Sequence, residues 1–141
     1  MHDNFYYNIK VYYEDTDAGG VVYHAQYMAF AERARSAMLN LLGFRNCDMA
    51  KQYKIAIAVR HCKTDFYYPA RLEDQLTVET RLTWVKGASL GFKQKIIRDV
   101  RELVSIEIDL ACISPQTLRV CRLPDDLRKT LHHYLDAKLE I

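Results

Sequence analysis

The chain has 141 residues, half of them hydrophobic, and its 20 basic residues against 18 acidic ones leave a net charge of only +2. That is enough apolar material for one core and one domain, residues 1–141, and argues against two. The longest basic cluster is Arg128-Lys129, which gives no electrostatic footprint for nucleic acid, and no apolar run approaches the roughly 20 residues that span a bilayer.

The opening Met1-His2-Asp3-Asn4 is polar and lacks the apolar stretch of a secretory signal, so a soluble, cytoplasmic protein without an integral membrane segment is expected. Residues 5–13 are aromatic and β-branched with partial alternation and predict a first strand. It delivers a turn in which Glu14, Asp15 and Asp17 precede Gly19 and Gly20. Paired glycines let another molecule approach the backbone closely. Behind them, Tyr27, Phe30, Ala34, Met38 and Leu41 recur at steps of three or four and predict a helix over 25–42, stopped by Gly43. His24 stands where that helix begins. Its first turn has N–H groups without internal partners, so a carboxylate beside it can face a carbonyl that those groups polarise.

Residues 43–54 carry no clear period and predict a connector with a short helical turn over Asp48–Tyr53. From Ile55 the period becomes two. Strands follow over 55–68, closed by Pro69, then 75–85, 89–98 and 103–113, with Leu76, Val78, Thr80, Leu82 and Trp84 sharing one face of the second. Short turns between these four predict an antiparallel meander. Ser114-Pro115 breaks the sheet, Leu118–Leu123 suggests a short edge segment, and a helix from Pro124 carries Leu127, Leu131, Leu135 and Leu139. The expected class is α+β, an antiparallel sheet wrapped around one central helix with a second helix at the end. One helix on a twisted sheet leaves edges and flanks uncovered, so a homo-oligomer is expected.

Cys47, Cys62, Cys112 and Cys121 form no C-x-x-C pair and are expected to be buried free thiols. The adjacent His132 and His133 lack the i, i+4 spacing of a two-histidine metal motif, so no metal site is expected. His61, beside Arg60 in a strand, and the turn carrying Lys86, Gly87 and Ser89 are candidates for contact with phosphates. Each has a plain alternative, as solvated strand face or hairpin turn.

The stretch VYYEDTDAGGVVYHAQYMAFAERARSAML, residues 11–39, closely resembles the 4-hydroxybenzoyl-CoA thioesterase family of hotdog-fold enzymes, in its Tol-Pal-associated acyl-CoA thioesterase branch. TDFYYPARLEDQLTVET, 64–80, and KGASLGFKQKI, 86–96, resemble the same branch more weakly. The resemblance implies a hotdog fold assembled as a dimer and further as a tetramer, with active sites between subunits. It implies hydrolysis of an acyl-CoA thioester, with no cofactor because coenzyme A is part of the substrate. By motif position the catalytic carboxylate falls on Asp17, with assistance from Tyr13 and His24. Asp17 would act as nucleophile or as general base; His24 would bond the substrate carbonyl or orient water; Tyr13 would position the carboxylate or steady the leaving group. Val59, Arg60, His61, Lys86, Gly87 and Ser89 are the expected substrate contacts, and Met28, Phe30, Val59 and Tyr67 the candidate lining of an acyl tunnel. Two rivals share the fold: an interaction protein that engages acyl carrier protein or envelope machinery, and a dehydratase acting on acyl thioesters.

Overall fold

The computed structural model describes residues 4–139. Its elements follow in the order β1 (Phe5–Lys10), a single 3-10 turn (Tyr13–Asp15), α1 (His24–Leu41), α2 (Asn46–Gln52), β2 (Ala56–Phe66), β3 (Gln75–Val85), β4 (Ser89–Arg98), β5 (Arg101–Ile113) and α3 (Asp125–Leu139). The strands form one antiparallel sheet in the order β1-β3-β4-β5-β2. Helix α1 packs on β1, β3 and β4, so the sheet wraps it.

Alternation along the strands sets which side chains meet that helix. Leu76, Val78, Thr80 and Leu82 of β3, Leu90, Phe92, Gln94 and Ile96 of β4, and Val104, Ile106, Ile108 and Leu110 of β5 are all buried, as period two requires. From α1, Tyr27, Phe30, Ala31, Ala34 and Met38 enter the same core, joined by Leu127 and Leu131 of α3. Each fully buried Phe or Leu contributes about 1.5–3 kcal/mol by leaving water. Three alanines on or beside the α1 stripe let helix and sheet come close.

The end of α1 is a full Schellman motif. Gly43 has φ +97, its N–H donates to the Asn40 carbonyl, and the Phe44 N–H donates to the Leu39 carbonyl at 2.8 Å. Phe44 then packs against the core, which fixes the direction of the exit.

The structure corrects several expectations. Strands 55–68 and 75–85 are not hairpin neighbours: β2 pairs with β5 at one edge, and residues 67–74 carry the chain to β3, which pairs with β1 and β4. Only β3, β4 and β5 form a meander. Strand β1 stops at Lys10 because the Tyr12 N–H is taken by the Asp15 carboxylate at 2.9 Å instead of a sheet partner. A bulge between Leu82 and Trp84 turns Trp84 to the face opposite the core and brings Val85 inward.

Leu41 is 75% exposed, since it lies in the last turn beyond the sheet's reach. Residues 118–123 contribute only an isolated bridge between Val120 and Ile113. On α3, Tyr134 is buried while Leu135 is only half-buried, and the side chain of Leu139 lies outside the described residues, as do Met1–Asp3. All four cysteines are free, but Cys47 and Cys62 are exposed in the protomer.

Candidate active site

Asp17 sits in a tight turn between the 3-10 turn and α1. Its N–H donates to the Val21 carbonyl at 2.9 Å and its own carbonyl accepts from the Gly20 N–H at 3.1 Å. Gly20 has φ +80, a conformation that a side chain would strain. The carboxylate is oriented by the same turn. Oδ1 accepts the Gly19 N–H at 2.8 Å and the Val21 N–H at 3.3 Å, while Oδ2 has no hydrogen-bond partner among the described residues. A Cβ on Gly19 would stand 3.3 Å from Oδ1, so this close approach uses the missing side chain.

The turn is clamped to the crossover between β2 and β3. The Val22 N–H donates to the Ala70 carbonyl at 2.9 Å, the Leu72 N–H to the Gly20 carbonyl at 3.1 Å, and Val21 bridges Arg71. From the other side, the buried Tyr27 hydroxyl accepts the Ala70 N–H at 2.9 Å. Burial pushes the Tyr27 phenol up, opposed by that N–H and the Arg98 charge.

Helix α1 starts at His24 with no side-chain cap from Tyr23, which leaves first-turn N–H groups available to an external acceptor. The exposed His24 ring lies 4.7 Å from that of Phe66, which in turn lies 5.7 Å from Tyr27. Val21, Val22, His24, Tyr27 and residues 66–69 line an open cavity of about 200 Å³. One and two turns further along α1, Met28, Ala29, Glu32 and Arg35 face Val59 and Cys62 of β2 across a second cavity of about 450 Å³. The two separate cavities follow one another along the α1–β2 seam, a trough in two parts that starts at the histidine.

The structure brings the Asp17 turn and the start of α1 together through Val21, which is shared by the turn and the first cavity. Tyr13 is 79% exposed at the 3-10 turn, and no hydrogen bond joins its ring to Asp17 among the described residues. Val59, Met28 and Tyr67 line the cavities, whereas Phe30 is fully buried in the core. His61 alternates with Cys62 and Thr64, which touch Met28, so it lies on the strand face away from α1, and Arg60 occupies the bulge beside it. Lys86, Gly87 and Ser89 sit at the far end of β3 from the Asp17 turn, 11 residues away along the strand, about 35 Å. Ser89 is buried there, and the Lys86 ammonium lies 5.2 Å from the Trp84 ring centre.

Two polar residues are buried that the sequence did not mark as such: Asp15, read there only as one acid of the turn, and Arg35, not singled out at all. Asp15 is 3% exposed, its carboxylate accepting Tyr12 N–H and, at 2.8 Å, the Gln26 side-chain amide. Arg35 donates to Gln94 Oε1 at 3.0 Å, and Gln94 donates to the Ala31 carbonyl and Thr80 Oγ1. Burial lowers the Arg35 pKa from its usual value, partly offset by the charge of Glu32. A glutamine on an otherwise apolar strand face was the available signal, because a buried amide needs partners. Among the described residues no cluster of ligating side chains suits a metal ion, and no helix is long and apolar enough to cross a membrane.

A family model described as thioesterase-like superfamily matches residues 11–131. The acyl-CoA thioesterase YbgC of Haemophilus influenzae is 38% identical over 134 residues, covering 94% of this chain and 98% of that protein. The acyl-CoA thioester hydrolase YbgC of Escherichia coli O6:H1 is 40% identical over 124 residues, covering 87% and 92%. A probable thioesterase from Bartonella henselae superposes with a TM-score of 0.82 at 35% identity, covering 86% of this chain and 99% of that one. The sheet wrapped on α1 is the hotdog fold of these proteins, and the chain belongs to the thioesterase-like superfamily.

Proposed function

We propose that the protein is an acyl-CoA thioesterase, releasing a carboxylic acid and the coenzyme A thiol, and that Asp17 is its reacting carboxylate. The observation that carries this assignment is the division of labour within the carboxylate: Oδ1 is fixed by two backbone N–H groups and Oδ2 has no partner among the described residues. A group held that way is oriented without being neutralised.

Two routes balance. In one, Oδ2 attacks the thioester carbon, the C–S bond breaks, the thiolate takes a proton from water, and a second water hydrolyses the mixed anhydride. In the other, Asp17 takes a proton from a water that attacks the carbonyl and returns it to the departing thiolate. In both, N–H groups at the start of α1 stabilise the oxyanion and His24 donates to it or orients water. The acyl group extends into the trough beside Met28, Val59 and Cys62.

Among the described residues, strand β2 pairs only with β5, and its other edge is open beside the exposed Val59 and Phe66. A second copy adding its strand there would close the trough and continue the sheet. Sedimentation of a folded monomer at micromolar concentration would argue against that dimer.

The decisive experiment measures thiol release across a panel of acyl-CoAs of different length. Asp17→Asn should lower kcat by at least about 10³-fold while leaving the thermal midpoint nearly unchanged; substantial residual kcat would refute the assignment. Label found in Asp17 after single turnover in ¹⁸O water then identifies the anhydride route with attack of water on the aspartyl carbon, since the general-base route leaves its oxygens unexchanged. Background turnover on every acyl-CoA, with tight binding of acyl carrier protein, would favour an interaction protein instead.

A further inference from the structure

We infer that Asp15 is a positioning residue, whose buried carboxylate holds the Asp17 turn against the start of α1. The inference rests on Asp17 being the reacting carboxylate.

The two acids are two residues apart and differently placed. Asp15 is 3% exposed and spends each oxygen on a different arm of the chain. Oδ2 accepts the Tyr12 N–H at 2.9 Å, before the Asp17 turn, and Oδ1 accepts Gln26 Nε2 at 2.8 Å, after it. Its backbone repeats the pattern, donating to the Tyr12 carbonyl at 3.0 Å and accepting the Tyr23 N–H at 3.1 Å. Four hydrogen bonds from one residue thus close a loop that contains both Asp17 and His24.

Asp15 is buried with both carboxylate oxygens occupied, so unlike Asp17 it has no free oxygen to present to substrate. A carboxylate is costly to bury beside two uncharged donors. What it supplies is one hydrogen-bonding atom on each side of a turn otherwise held by backbone contacts. Gln26 completes the brace, since only a donor at that position can meet Oδ1.

The pairing predicts a charge-exchange experiment. Gln26→Glu sets two carboxylates face to face and should lower kcat by about 10–100-fold with KM within about threefold, because misplacing a reacting group costs rate more than binding. In the double variant with Asp15→Asn, Oδ1 of the asparagine accepts the Tyr12 N–H and its NH2 donates to the glutamate. The double should recover to within about fivefold of the parent kcat. Asp15→Asn alone should also stay within about fivefold, because the Gln26 amide can turn over to accept.

Steady-state kinetics on one acyl-CoA, with thermal midpoints measured on each protein, decide the matter. Recovery in the double variant with KM unchanged supports the brace. Three results overturn it: a double variant no better than Gln26→Glu, a Gln26→Glu variant with full kcat, or an Asp15→Asn variant as inactive as Asp17→Asn, which would make Asp15 the reacting group. Full activity in Asp17→Asn sinks the underlying assignment, and the inference with it.

Discussion

The indole of Trp84 lies across Gly91 on the neighbouring strand, in the space that a Cβ at position 91 would need. The bulge after Leu82 makes the two residues opposite, and the glycine lets the ring lie flat on the sheet. Gly91→Ala should therefore force the indole off and destabilise the fold by about 1–3 kcal/mol. Adding Trp84→Ala should make the alanine at 91 nearly neutral, and urea unfolding of the two single variants and the double would measure that coupling.

Tyr27 joins α1 to the crossover that holds the Asp17 turn. Tyr27→Phe keeps the ring packed against Phe30 and Phe66 but leaves the Ala70 N–H without its acceptor. A stability loss of about 1–3 kcal/mol is expected. Amide exchange at Ala70 and Val22 should accelerate before that of the core strands, and equal protection in variant and parent would contradict the link.

Burial pushes the Cys112 thiol up from 9.0 to about 12, with the neighbouring Cys121 thiol adding to the rise. In the unfolded chain this group ionises from its ordinary value, whereas in the folded chain it holds its proton until near pH 12. The unfolded state is thus favoured progressively as pH rises from 9 towards 12, and the stability present below pH 9 is lost. Between pH 9 and 10 the loss from this one group is up to about 1 kcal/mol. Cys112→Ala should be less stable at neutral pH but show a flatter decline over that interval by urea unfolding. An unchanged slope would count against the shift.

His24 and Tyr13 differ in placement and should differ in effect. His24 lines the first cavity beside Phe66, and His24→Ala should reduce kcat about 10²-fold. The Tyr13 ring stands largely in solvent, so Tyr13→Phe should cost less than about tenfold. Parallel kinetics on the two variants test the ranking, and a larger effect at Tyr13 would mean that a second copy brings its ring to the site.

Periodicity revealed α1, β3, β4 and β5 because burial on one face imposes it locally, whereas β2, which has no buried side chain, was found from its composition and its stop at Pro69. Strand neighbours were less legible. Pairing of β2 with β5 depends on the path of residues 67–74, whose hydrogen bonds go to distant segments such as Gly20 and Leu103. Trp84 followed the alternation of β3 until a bulge that only Gly91, across the ladder, makes room for. At the site, the turn that holds Asp17 was legible because a motif of glycines and acids is local, whereas the choice of Asp17 among its acids came from the family resemblance. Burial of Asp15 was not legible, since its second partner, Gln26, stands in the next element and an acid beside glycines looks the same whether solvated or enclosed. Arg35 was hidden for the same reason, its partner Gln94 being 59 residues away.

The hairpin turn at Lys86–Ala88 and the loop over 114–119 share the end of the sheet opposite the acid-bearing turn. That separation makes the far end the natural place for a tether, a label or an inserted segment. An attachment there meets Leu123 and Arg122 but neither the crossover nor the trough. A surface-immobilised or fluorescently marked version joined at Gln116 should therefore turn over substrate as the free protein does, whereas the same attachment at Arg71 would pull directly on Val21.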